Sequence, residues 1–168
     1  LQRIDPAVPL SLTQSLSSPA KLRVLADDIA SLPSPAEAAG ATKYQRGRLL
    51  LVAGSDRYRG AAHLVVRGAL ASGAGSVEAC LPETVAESLW QQAPEVVVGA
   101  GLSCDGHGAL LWGEALAGRD LARLDAVLVG PGLGMVKGCW QQWADPLLAF
   151  PGLLVLDADG LNQLAFAE

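Results

Sequence analysis

Apolar residues along this chain fall into short unbroken runs bounded by glycine, proline and acidic residues. Between the runs lie longer stretches in which small apolar residues recur at helical spacing. Leu49–Ala53, Ser76–Leu81, Glu95–Val98, Ala126–Val129 and Leu153–Leu156 are the strand-like runs. Runs of leucine and valine without polar alternation suit strands covered on both faces, as parallel strands are. Ala61–Ser72, closed by Gly73, reads as a helix, and its alanines and Gly68 let it lie close to a sheet. A second helix is expected from Pro82-Glu83-Thr84 to about Gln92, ended by Pro94. Ala109–Ala117 reads as helical up to Gly118, Cys139–Phe150 as a helix interrupted near Asp145-Pro146, and Leu161–Ala167 as the beginning of another. Gly99–Gly108 reads as a glycine-rich loop. Strand and helix in alternation predict a three-layer α/β fold, a mainly parallel sheet flanked by helices.

The pattern begins at Lys43. Residues 1–42 are rich in proline and serine and read as a linker or arm, with an extended Lys21–Leu25 and a short helix from Asp27-Asp28 to Leu32. Residues 43–168 form the expected domain. Composition narrows the class: 51% apolar and 17% charged residues describe a chain with a real core. A net charge of −5 without a basic run argues against nucleic acid as a partner. No apolar run reaches the ~20 residues of a membrane span, and the N-terminus lacks a signal-peptide pattern, so a cytoplasmic location is expected. Cys80, Cys104 and Cys139 are widely spaced and read as reduced thiols. His63 and His107 have no partners at metal-ligand spacing, and no metal site is expected.

Chemistry can sit where strands end, because ligands of open α/β sheets bind beyond the carboxyl ends of strands. Three loops qualify: Gly54–Gly60, Gly130-Pro131-Gly132-Leu133-Gly134 and Asp157-Ala158-Asp159-Gly160. Two of them are expected to feed helices through glycine, and a helix N-terminus suits a phosphate. The third offers carboxylates for a metal ion, a ribose hydroxyl or a helix cap. Each loop also has a plainer reading. Gly130–Gly134 lacks both the GxGxxG and the P-loop spacing, Ser55 sits in no GxSxG frame, and Asp159 fits a helix N-cap. Lys43, Arg46 and Arg48 suit a solvated flank, and Trp140 and Trp143 suit the core. Glu78, inside an apolar strand, faces either a pocket or the end of the sheet.

The segments KYQRGRLLLVAGS, GAAHLVVRGALASGAGSV, LDAVLVGPGLG and LVLDADGLNQLA, in this order and at these intervals, resemble the ADP/ATP-dependent NAD(P)H-hydrate dehydratases of the ribokinase-like superfamily. The resemblance runs from Lys43 to Ala167. It implies a repair reaction in which hydrated NADH or NADPH is dehydrated at the expense of ADP or ATP with Mg2+: phosphoryl transfer to the ring hydroxyl, then loss of phosphate. Carried over by position, it makes Ala61, Ala62, Gly132 and Gly134 hydrate-binding residues. Gly54, Ser55, Gly60, Asp157, Asp159 and Asn162 then line the cleft. Residues 21–33 look like the lead-in of this domain in bifunctional proteins, where an NAD(P)H-hydrate epimerase domain comes first.

The family's histidine segment, its lysine-glycine nucleotide segment and its GSGD motif follow the DAD-x-LN strand, and this sequence has none of them. No residue here is therefore expected to be the catalytic base. The chain, which starts at Leu1 and stops at Glu168 within an expected helix, reads as the N-terminal part of the domain. Alone it is expected to hold the hydrate-facing half of a site, to turn over little, and to self-associate through uncovered strands. Two other readings stay open at this point: a sugar or vitamin-precursor kinase of the same superfamily, and a non-catalytic binding or assembly fragment.

Overall fold

A computed structural model describes residues 40–165. The expected arm, with its Lys21–Leu25 and Asp27–Leu32 elements, lies outside the described residues. Five strands, β1 (Arg48–Val52), β2 (Ser76–Pro82), β3 (Val97–Leu102), β4 (Ala126–Val129) and β5 (Leu153–Leu156), form one fully parallel sheet in the order β3-β2-β1-β4-β5. The chain builds outward from β1 to β3 on one side, then returns to lay β4 and β5 on the other. The strand order therefore reverses between β1 and β4.

Period-two alternation decides which face each residue serves. Leu50 and Val52 of β1 join Val127, Val129 and Cys80 on one face, under Trp112, Trp140 and Leu147. Leu51 turns the other way, to Val77, Ala79 and Leu81. Helix α1 (Arg59–Ala71) covers this second face with Ala62, Val66 and Ala69, one stripe at i, i+4, i+7. The short α2 (Glu83–Ala86) adds Val85 beside it. Helices α3 (Cys139–Leu148) and α4 (Asp159–Ala165) lie with the first face. The three-layer α/β reading holds. Among the described residues the helices of the second face lie over β1, β2 and β3, and β5 leaves Leu153 and Val155 64% and 36% exposed. No helix among the described residues is long and apolar enough to cross a membrane.

Several elements depart from the pattern. The expected helix to Gln92 is α2 plus a separate 3-10 turn at Leu89–Gln91. Residues 99–102, read as loop, continue β3: Ala100, Gly101 and Leu102 pair with Cys80, Leu81 and Pro82. Ala109–Ala117 is not an α-helix. Leu110 makes a bridge with Cys104 and donates its N–H to the Leu133 carbonyl at 2.7 Å, which leaves only Trp112–Ala115 as a 3-10 turn. Helix α3 runs unbroken through Pro146, near its C-terminal end.

Glu78 sits near the amino end of β2, half-buried, in an ion pair with Arg119. Arg119 is held by its Nε–H to the Ala115 carbonyl, and its Nη2 lies 3.6 Å from Cys80 Sγ. Glu78 is thus a partner for one cation at the edge away from the candidate loops. The three cysteines are unpaired, and burial pushes the Cys80 thiol up to about 11. Trp140 is buried and stacks at a tilt on Trp112, with ring centroids 6.3 Å apart.

Candidate functional site

The reversal of strand order puts the carboxyl ends of β1 and β4 side by side, and a crevice at such a point is where open α/β sheets bind ligands. The two loops meet directly: Gly54 N–H donates to the Pro131 carbonyl at 2.8 Å. Gly130–Gly134 is wedged among three other segments. A Cβ on Gly130 would strike the Asp157 carbonyl, and one on Gly132 would lie 2.7 Å from Ala61 Cβ and 2.9 Å from Tyr58 Cβ. One on Gly134 would lie 2.7 Å from Ala109 Cβ. All three glycines have positive φ, so geometry and contact both exclude a side chain.

The β5 loop closes on this turn. Asp159 Oδ2 accepts the Gly134 N–H at 2.8 Å, and Oδ1 accepts from Asn162 Nδ2 at 3.2 Å. Gln163, buried, donates Nε2–H to the Gly134 carbonyl at 2.8 Å and accepts the Trp112 indole N–H at 2.9 Å. Asp159 is therefore a latch between β5 and the β4 turn and not the N-cap of its own helix. Ala158, just before it, takes φ +45, the one non-glycine residue at positive φ among those described.

Beside the latch opens a cleft of about 320 Å3, lined by Ser55, Arg57, Tyr58, His107, Gly108, Ala109, Gly134, Met135 and Asp159. Ser55 is fully buried, and its hydroxyl has no hydrogen-bond partner among the described residues. The far wall is organised by Asp105, whose Oδ1 accepts the N–H groups of His107 at 2.8 Å and Ala109 at 2.9 Å. Those bonds hold its carboxyl below the usual carboxylate range. A larger and mainly apolar hollow of about 550 Å3 adjoins at Met135, lined also by Trp140, Lys137 and Gln163.

Of the residues predicted from sequence, Ser55, Gly134 and Asp159 line the cleft itself. Gly54, Ala61, Ala62 and Gly132 form the packed layer behind it, with the Ala62 methyl closed against Gly54. Asp157 is exposed on the loop after β5, Asn162 is exposed in the first turn of α4, and Gly60 stands in the first turn of α1 with open space around it. The glycine turn does not feed a helix, because residues 135–138 intervene before α3. Arg57 and Tyr58 belong to the expected Gly54–Gly60 loop without having been singled out, and His107, Gly108, Ala109 and Met135 are not among the expected site residues. A histidine between two glycines carries no local signal, and only the Asp105 turn, which the DGHG run encodes, brings it to the cleft.

Residues 49–168 match a family described as NAD(P)H-hydrate dehydratase. A bifunctional NAD(P)H-hydrate repair enzyme of Synechocystis sp. is 45% identical over 123 residues, 73% of this chain and 22% of that protein. An ADP-dependent (S)-NAD(P)H-hydrate dehydratase of Xanthomonas campestris is 34% identical over 128 residues, 76% of this chain and 44% of that protein. Among solved structures, an ADP/ATP-dependent NAD(P)H-hydrate dehydratase of Bacillus subtilis, co-crystallized with ATP/Mg2+, superposes with a TM-score of 0.60 at 32% identity. That match covers 73% of this chain and 41% of the other. The chain thus spans less than half the length of each of these relatives.

Proposed function

Because this chain belongs to the NAD(P)H-hydrate dehydratase family, we propose that its cleft receives the hydrated nicotinamide end of NADH or NADPH, in a reaction that removes the added water at the expense of ADP or ATP. Phosphoryl transfer to the ring hydroxyl makes it a leaving group. Loss of phosphate and a ring proton then re-forms the carbon–carbon double bond. The observation that carries this reading is the meeting of the β4 turn, the start of α1 and the β5 loop at the reversal of strand order. These are the segments that carry the GPGLG, GAA and DADGLN residues.

What this chain's residues do in that reaction is bind and orient. The glycines bring backbone to the cleft edge, and Asp159 fixes the turn through Gly134. The exposed Arg57 and His107 at the mouth suit the anionic part of a nucleotide. ADP or ATP with Mg2+ supplies the phosphoryl group. Among the described residues no three His, Cys, Asp or Glu side chains gather to cage a metal. On this reading the ion would arrive on the nucleotide phosphates. A cytoplasmic enzyme, joined to or working beside an epimerase, fits the same reading.

Titration of the 168-residue chain with hydrated NADH and with intact NADH tests it. Saturable binding of the hydrate, at least tenfold tighter than of NADH, is expected. Turnover with ADP or ATP and magnesium should stay far below that of a full-length relative. Equal affinity for the two nucleotides would overturn the assignment.

A further inference from the structure

The cleft has one feature that its packing does not account for. Ser55 follows Gly54 at the end of β1 and is wholly buried, yet its Oγ meets no donor or acceptor among the described residues. A buried hydroxyl without a partner is destabilising, and such groups are rare in folded chains. Alanine would fill the same space without that cost. The free cation, in contrast, stands at the mouth. Arg57 is exposed, its guanidinium lies 5.9 Å over the Tyr58 ring, and it pairs with no carboxylate among the described residues. Tyr58 caps α1 without any side-chain hydrogen bond, and the Ala61 N–H is taken by the Tyr58 carbonyl at 3.0 Å, which leaves the Arg59 and Gly60 N–H groups of that thirteen-residue helix without a side-chain cap. The cleft thus has a lone serine hydroxyl at its buried end, the Asp159 carboxylate in its wall, already engaged by the Gly134 N–H and Asn162, and the Arg57 cation at its opening. At about 320 Å3 it stands at the small end of the range for ligand pockets, room for one end of a dinucleotide.

We infer that Ser55 Oγ is the orienting hydrogen-bond partner of the substrate. It takes a neutral polar group of the hydrated ring end, while Arg57 and the start of α1 take the phosphate at the mouth. The inference rests on the reading under Proposed function and adds to it the direction in which the nucleotide enters. A phosphate cannot take the inner position, because burying its charge beside a lone hydroxyl has no compensating cation.

Calorimetric titration of the 168-residue chain with hydrated NADH, and with hydrated dihydronicotinamide riboside, which lacks phosphate, tests this. Ser55→Ala should weaken both ligands by a similar factor, about 5- to 10-fold. The ligand-free Ser55→Ala chain should melt at or above the wild-type temperature, since a hydroxyl without a partner has been removed. Arg57→Ala should weaken the dinucleotide and leave the riboside unchanged. A Ser55→Ala chain that binds the hydrate as wild type does, or that melts lower, overturns the inference while leaving the functional reading intact. So does an Arg57→Ala chain that loses both ligands equally. Failure of the wild-type chain to bind either ligand sinks the functional reading, and the inference with it.

Discussion

At Gly132 the chain needs a residue with positive φ and no Cβ at once, and these demands have separate costs. The left-handed conformation costs an alanine about 1–2 kcal/mol, and overpacking against Ala61 and Tyr58 adds about 1–3 kcal/mol. Gly132→Ala should therefore lower stability by about 2–5 kcal/mol in urea unfolding, and it should weaken hydrate binding because Tyr58 must move. Ala158 is the converse case, a side chain held where glycine belongs. Ala158→Gly relieves that strain but frees the unfolded chain, a net gain of about 0.5–1 kcal/mol by the same measurement. The glycines of the turn were visible in the sequence and their reason was not. They read as room for a phosphate, whereas four of the contacts that forbid a Cβ come from Ala61, Ala109, Tyr58 and Asp157, residues 25 to 74 positions away.

Between elements, two more carboxylates besides Asp159 fasten loops through backbone N–H groups. Asp105 holds the His107–Ala109 wall, and Asp125 accepts the Arg48 N–H at 2.7 Å and then the Arg48 side chain, tying the entry of β4 to that of β1. In each case the backbone bonds are the main reason the carboxyl sits below its ordinary range. A folded pKa below the unfolded value of about 3.9 means stability that is present above that value. It is lost as pH falls through the lower, folded pKa. Acid titration of the melting temperature should show this loss below about pH 4, and the Asp105→Asn, Asp125→Asn double variant should flatten it.

The strand β5 is the other element with a consequence. It has a strand neighbour on one side only among the described residues, and Leu153, Val155 and nearby Leu148 are open to solvent. Sedimentation should show association that grows with concentration and disappears in Leu153→Lys, Val155→Lys. A wild-type chain that stays monomeric at high concentration would count against it. The strands themselves were legible wherever unbroken apolar runs made them, as at Ala126–Val129 and Leu153–Leu156. The second half of β3 was not, because Gly99 and Gly101 are poor strand formers and belong to the sheet through pairing with β2. Ala109–Ala117 has helical spacing, but bonds from Leu110 to Leu133 and from Leu111 to Ser103 take up the backbone first.

In the whole molecule the decisive fact is the strand order, which no local pattern encodes. The sequence supplied three loops at strand ends. Only the placement of β4 beside β1 turns two of them into neighbours. It also separates the site from the Glu78–Arg119 pair near the amino ends of the strands. Arg119→Ala leaves a half-buried carboxylate without its cation. It should cost about 1–3 kcal/mol in thermal or urea unfolding, with hydrate affinity unchanged. A loss of affinity at equal stability would show that the two edges of the sheet communicate.

The bonds from Gly134 through Gln163 to the Trp112 indole give the molecule an optical property. Gln163 can satisfy both partners in one amide orientation only, oxygen to the indole and nitrogen to the turn. Displacement of the turn must therefore change the polarity felt by a chromophore sealed inside the core. Filling of the cleft is expected to appear as a shift in tryptophan emission, absent in Trp112→Phe, so that the protein reports its own occupancy without a label.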